Sequence, residues 1–143
     1  MKEEILDRRV RKTRRQLKEC LTRLLKEKKI QDITVRELAE MADINRGTFY
    51  LHYKDVFDLL EQTETELLGK LNTVIQKHRA EELLDRPFNI FHEVYTLVYE
   101  NASLVEILLG ENGDLNFLNR MKQIIHDKCL HDWMEVVLSL IHI

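Results

Sequence analysis

Apolar residues recur every three or four positions along most of the chain, with charged residues filling the gaps. That spacing predicts helices. The first spans Thr13 to Lys28, with Leu17, Cys20, Leu21, Leu24 and Leu25 on one face and Thr13 as its cap. After a short connection at Ile30–Ile33, Thr34 and Glu37 form a capping-box pair that opens a brief helix. Its inward residues are Val35, Leu38, Ala39 and Ala42. Asp43 occupies a turn, a residue type that tolerates left-handed backbone better than most. Ile44 points inward, Asn45 caps the next brief helix, and Phe49 and Tyr53 pack toward the core. On this reading Arg46, Gly47, Thr48, Tyr50 and His52 face outward.

Asp55 opens a long helix to about His78, with Phe57, Leu59, Leu60, Leu67, Leu68, Leu71, Val74 and Ile75 as its apolar set. Pro87 sits near the start of another, carrying Phe88, Phe91, Val94, Tyr95, Val98 and Tyr99. Ser103 with Glu106 reads as a second capping box, opening a short helix through Leu109. Gly110 and Gly113 interrupt the pattern. Asp114 starts a last helix with Leu118, Met121, Ile124, Ile125, Cys129, Trp133 and Val137. The expected fold class is all-α.

Composition sharpens this picture. Four Gly, one Pro and a 44% hydrophobic fraction suit a helical protein with a real core. No apolar run approaches the roughly 18 residues that cross a bilayer, and the charged N-terminus lacks the apolar stretch of a signal peptide. Cys20 and Cys129 lie far apart and fit no metal spacing; two thiols without an export signal point to a cytoplasmic protein with no membrane partner. The net charge of −3 conceals a split. Residues 1–54 hold 15 Lys/Arg against 9 Asp/Glu, and residues 55–143 hold 7 against 16, giving +6 in front and −9 behind. A basic head on an acidic body is the electrostatic footprint of nucleic-acid binding at one end.

The basic part contains the most specific signal. Thr34 to Lys54 reads as two short helices around a tight turn, the second carrying Asn45, Arg46, Thr48, Tyr50 and His52. This is the layout of a helix-turn-helix, which places its second helix in the DNA major groove. Arg8, Arg9, Arg11 and Lys12 precede it as a basic arm, either a minor-groove contact or a solvated tail.

Residues 13–60 resemble the DNA-binding domain of the TetR family of one-component bacterial regulators. The likeness rests on Thr34, the pair Leu38-Ala39, the turn at Asp43, and the run Thr48-Phe49-Tyr50-Leu51-His52-Tyr53 followed by Lys54. It covers about a third of the chain. Two positions depart from the family pattern: the turn residue is Asp43 where Gly is usual, and Val56 replaces the second Lys of a Lys-x-Lys pair. The resemblance implies that Thr34, Arg36, Tyr50 and Lys54 touch phosphates. It makes Arg46 and Thr48 the leading candidates for base edges, with Asn45 and His52 behind them. The chemistry agrees, since Arg grips guanine through two hydrogen bonds and Thr offers a methyl to thymine. It further implies double-stranded operator DNA as partner, a helical ligand-binding and dimerisation domain, and repression relieved by a small-molecule effector. The aromatic residues Phe91, Tyr95, Tyr99, Phe117 and Trp133 are the candidate effector pocket, with core packing as the plainer alternative.

The expected organisation is a helix-turn-helix domain over residues 1–54, an incomplete helical domain over 55–137, and a non-native tail over 138–143. That tail, Leu138-Ser139-Leu140-Ile141-His142-Ile143, resembles the translation of a transposon mosaic-end sequencing adapter. The full parent is then expected to be a homodimer, and this shorter chain to expose an apolar face and dimerise poorly. Asp127 and His131, one helical turn apart with His126 beside them, lack an evident third ligand, so no metal or other cofactor is expected. No nucleophile-base set or Gly-rich phosphate loop supports an enzyme. The rival is a helical interaction protein or co-activator that uses the same head for a protein partner.

Overall fold

The computed structural model describes residues 2–111 and 113–142, with side chains from residue 7 onward. Every regular element among them is helical. The contacts divide the chain into two compact units, residues 1–64 and 65–143.

In the first unit, α1 (Lys2–Glu27) leads to a 3₁₀ turn (Ile30–Asp32), then α2 (Val35–Met41), α3 (Arg46–His52) and the first turns of α4 (Val56–Lys77). The core takes Leu17, Cys20, Leu21, Leu24 and Leu25 from α1, Leu38, Ala39 and Ala42 from α2, Phe49 and Tyr53 from α3 and its end, and Val56 and Leu59 from α4. Phe49, Leu17, Leu21, Leu38 and Leu59 are fully enclosed. Each such side chain contributes about 1.5–3 kcal/mol through burial, so the short helices α2 and α3 are held by packing and their caps, not by length.

Three sequence expectations change in this unit. Helix α1 begins at Lys2, so Thr13 lies inside it and the basic run Arg8–Lys12 is helical. Ahead of Leu17, Val10 and Leu6 keep the apolar spacing, the intervening residues are good helix formers, and an Asp7–Arg11 ion pair at 3.5 Å links successive turns. Phe57 is exposed, because Val56, about 100° away around the helix, takes the inward position. Ile44 is only half-buried.

The second unit contains the rest of α4, α5 (Ala80–Asp85), α6 (Pro87–Glu100), α7 (Ala102–Leu109) and α8 (Leu115–Ile141). Helix α5 packs on α6 and α8, α6 on α7, and α7 on α8. Asp114 caps α8 by accepting from the Asn116 amide at 2.9 Å. The expected capping box at Ser103 and Glu106 is absent: α7 starts at Ala102 with Asn101 before it. Asn101 is already committed to closing α6, donating its amide and its side-chain Nδ2 to the Leu97 carbonyl at 3.2 and 2.9 Å. Gly113 is fixed by close approach, since a Cβ there would stand 2.1 Å from the Leu108 carbonyl oxygen. Helix α8 runs on through the suspected tail, with Leu138, Leu140 and Ile141 exposed. Among the described residues no helix is long and apolar enough to cross a membrane.

Candidate nucleic-acid interface

The geometry of the first unit follows from three local devices. At the start of α2, the Thr34 hydroxyl accepts from the Glu37 amide at 3.1 Å and the Glu37 carboxylate accepts from the Thr34 amide at 3.1 Å. The Lys28 ammonium pairs with the other Glu37 oxygen and ties the capping box to the end of α1. The Lys28 hydrogen bond, then that from Thr34, hold the Glu37 carboxyl below its ordinary range. The ionised acceptor is therefore the resting state.

At the end of α2, the Asp43 amide donates to Glu40 O at 3.3 Å and the Ile44 amide to Ala39 O at 3.0 Å. These crossed bonds are a Schellman closure, which needs a left-handed residue between them. Asp43 supplies it with φ of 55°. At the start of α3, Asn45 Oδ1 accepts from the Thr48 amide at 2.8 Å and the Thr48 hydroxyl at 2.9 Å. The cap, the turn and the box together aim α3 outward.

The sequence-derived residues divide by what this aiming leaves free. Thr34, Arg36, Asn45, Arg46, Tyr50 and Lys54 are exposed. Arg36 is paired through Nε with Glu40 Oε1 at 3.2 Å across one exposed turn. Tyr50 is anchored edge-on against Phe49, with ring centroids 5.5 Å apart, while half its surface faces solvent. The Thr48 hydroxyl proton is committed to Asn45, so this side chain presents chiefly its methyl and an oxygen lone pair. Asn45 keeps its amide NH₂ as a donor.

His52 departs from the outward placement expected for it. It is part-buried, and Arg14 Nε on α1 donates to its Nδ1 at 3.5 Å. Burial first, then the Arg14 charge, lower its pKa, so the neutral imidazole acts as a link between α1 and the end of α3. Lys54 lies just before α4, its amide held by Asp58 Oδ2 at 2.9 Å while its side chain is exposed. Val56 is a core residue, so no cation faces out where the family pattern has its second Lys.

One residue escaped the sequence reading. Leu51 is 82% exposed on α3, more than Tyr50 at 51%. It lies on the side of Gly47 and leaves an apolar group in solvent. Its signal was available: on a helix with Phe49 inward, Leu51 is about 160° away.

In the second unit the aromatic set does not converge. Phe91, Tyr95, Tyr99 and Trp133 are exposed, while Phe117 is buried. Tyr95 and Tyr99 stack on each other with centroids 6.1 Å apart. The reason is phase: positions 88, 91, 95 and 99 form one stripe, but α6 turns it away from α5 and α7. A groove of about 920 Å³ lies instead between α4 and α6, along Gly69, Lys70, Thr73, Lys77, Glu93 and Thr96. Near the far end of the unit, His131 groups with Asp132 and Glu135, with donor atoms within 4.8 Å. Asp127 is engaged elsewhere, accepting from Gln123 Nε2 at 2.7 Å. Lys128 Nζ stands 3.1 Å from Asp132 Oδ1 and already supplies that carboxylate with a cation.

Comparison with known proteins adds one relative. The chain is 29% identical over 131 residues to a protein of Bacillus subtilis (strain 168) described as an uncharacterized HTH-type transcriptional regulator, YxbF. The match takes in 90% of this chain but 32% of the relative, so the chain spans about a third of that protein's length. No family profile matches the chain, and no solved structure matches it.

Proposed function

We propose that the protein is a DNA-binding transcriptional regulator whose α3 reads operator bases in the major groove. The observation that carries this is the outward side of α3 and its cap, where Asn45, Arg46, Tyr50 and Leu51 are exposed and Thr48 is half-buried, on a helix set by a capping box, a turn closure and an N-cap. The likeness to an HTH-type regulator over most of this chain supports the same reading. Arg46 and Thr48 carry base contact, with Asn45 and Leu51 beside them. Arg36 and Lys54 supply positive charge to phosphates, and Thr34 and Tyr50 supply hydroxyls. Phosphate contacts of this kind set register and carry little sequence information.

The TetR-like signature extends the reading to repression by a homodimer, since helix-turn-helix heads act in pairs on half-sites one helical turn apart. Effector binding to the second unit then shifts the population away from the DNA-competent state, which requires different affinity for the two states. The groove between α4 and α6 is a concave site that could take that effector.

Selection of duplexes from a random library tests the assignment. Arg46→Ala is expected to relax base preference at one position of the selected site, while Lys54→Ala weakens all sequences alike. Equal effects of both variants on selected and random DNA would remove Arg46 from base readout. No enrichment by the wild type, together with capture of a protein partner through α3, would favour the interaction-protein reading.

A further inference from the structure

A buried histidine joins three helices of the second unit. His78 directly follows the last residue of α4 and is 6% exposed. Its Nδ1 lies 2.9 Å from Glu82 Oε2 on α5, and its Nε2 lies 3.0 Å from Glu93 Oε2 on α6. A neutral imidazole has one N–H and one lone pair, whereas an ionised carboxylate only accepts. With a carboxylate against each nitrogen, the neutral ring would set a lone pair against an oxygen at one of them. The imidazolium satisfies both.

The surrounding charges favour the cation. From α4, Lys77 pairs with Glu93 Oε1 at 3.0 Å. From α8, Lys128 donates to the His78 carbonyl at 2.8 Å and pairs with the buried Asp132. Arg79, Glu81 and His92 neighbour these groups in sequence and are exposed. Lys128 thus has Asp132, Lys77 shares Glu93 with the ring, and Glu82 faces the ring in addition.

We propose that His78 is an imidazolium cross-link between α4, α5 and α6, and that its deprotonation releases α5, making the second unit a pH-responsive body. This inference is independent of the DNA reading. Glu93 keeps Lys77 when the ring loses its proton. Glu82 is half-exposed and has no second cation among its described contacts, so the α5 link is the one that opens. The hydrogen bond to Glu93, then that to Glu82, raise the His78 pKa above its ordinary 6.5 against the opposing effect of burial. The sign follows: the stabilisation is complete below about pH 6.5 and is lost as pH rises through the raised value.

The test is imidazole NMR on the full chain. His78 is expected to carry protons on both nitrogens at neutral pH and to titrate above the depressed His52, which serves as an internal contrast. Glu93→Gln and Glu82→Gln, measured separately, should each lower its midpoint, by roughly one pH unit. Amide exchange, corrected for its intrinsic pH dependence, should show α5 losing protection across the His78 titration while α1 does not. A His78 midpoint at or below 6.5, a midpoint indifferent to both variants, or α5 protection flat across that titration would overturn the proposal.

Discussion

Asn45 performs two tasks that substitution can separate. Its Oδ1 accepts from both the amide and the hydroxyl of Thr48 and so caps α3, while its NH₂ faces outward beside Arg46. Asn45→Ala removes the cap. Both Thr48 donors make this contact at the solvent-exposed surface, so water replaces the lost acceptor and no buried-group penalty is added. The loss is then the ordinary value for an N-cap, about 1 kcal/mol. For a unit of about 64 residues, an unfolding entropy near 2.1 cal/mol/K per residue turns this into a fall in Tm of roughly 7 °C. Asn45→Asp keeps an equally good acceptor and should melt within about 2 °C of the wild type. It also places a negative charge on the DNA-facing side. At roughly 8 Å from a phosphate and an effective dielectric near 40, the repulsion is about 1 kcal/mol, a five- to tenfold loss of affinity. Calorimetry and fluorescence anisotropy with a selected duplex measure the two effects. The reasoning fails if Asn45→Ala melts with the wild type, if Asn45→Asp melts with the alanine variant, or if the aspartate variant binds DNA unimpaired.

Further expectations follow from the same unit. Asp43→Gly places the residue best suited to φ 55° at the Schellman position and should stabilise the chain by up to about 1 kcal/mol, whereas Asp43→Val should destabilise it by more than about 1 kcal/mol; denaturant melts giving the same order for both would contradict the turn assignment. Glu40→Gln releases Arg36 from its ion pair and should tighten DNA binding about two- to fivefold, with unchanged affinity counting against a phosphate role for Arg36. Thiol labelling should modify Cys129 quickly and Cys20 only on unfolding, because burial raises the Cys20 pKa and hides its sulfur; equal rates would show that the first core is open.

The parts of the fold that were legible in sequence are those with local, reciprocal chemistry. Thr34 with Glu37, Asp43 in the turn, Asn45 before α3 and Asp55 before α4 each satisfy backbone groups within four residues, so the side-chain types alone locate them. The start of α1 was set too late because Thr13 is a cap-type residue and Arg8–Lys12 read as an arm, although Leu6 and Val10 keep the apolar spacing and Lys, Glu and Arg favour helix. Helix α5, six residues long, is too short to show a period. Ser103 and Glu106 have the right types at the right spacing, yet the register of α7 is set by Asn101 closing the helix before it. Of the candidate site, the exposure of Arg46 and Tyr50 was legible because the motif fixes their phase relative to Phe49. Leu51 was passed over as apolar, and His52 was placed outward because its bond to Arg14 spans 38 residues. The aromatic pocket was misplaced for a related reason: side-chain type says that Phe91 and Tyr95 seek cover, but only tertiary packing says which face of α6 receives it.

The central claim is that α3 and its flanks hold duplex DNA through a small set of cations and a specific face. The most direct measurement is the dependence of the binding constant on salt for a selected duplex, with Lys54→Ala beside the wild type. Arg36 and Lys54 are the assigned phosphate cations, so the log-log slope should be about −2 per bound head, and Lys54→Ala should make it shallower by about 1. A slope near zero, or one that Lys54→Ala leaves unchanged, would contradict the account.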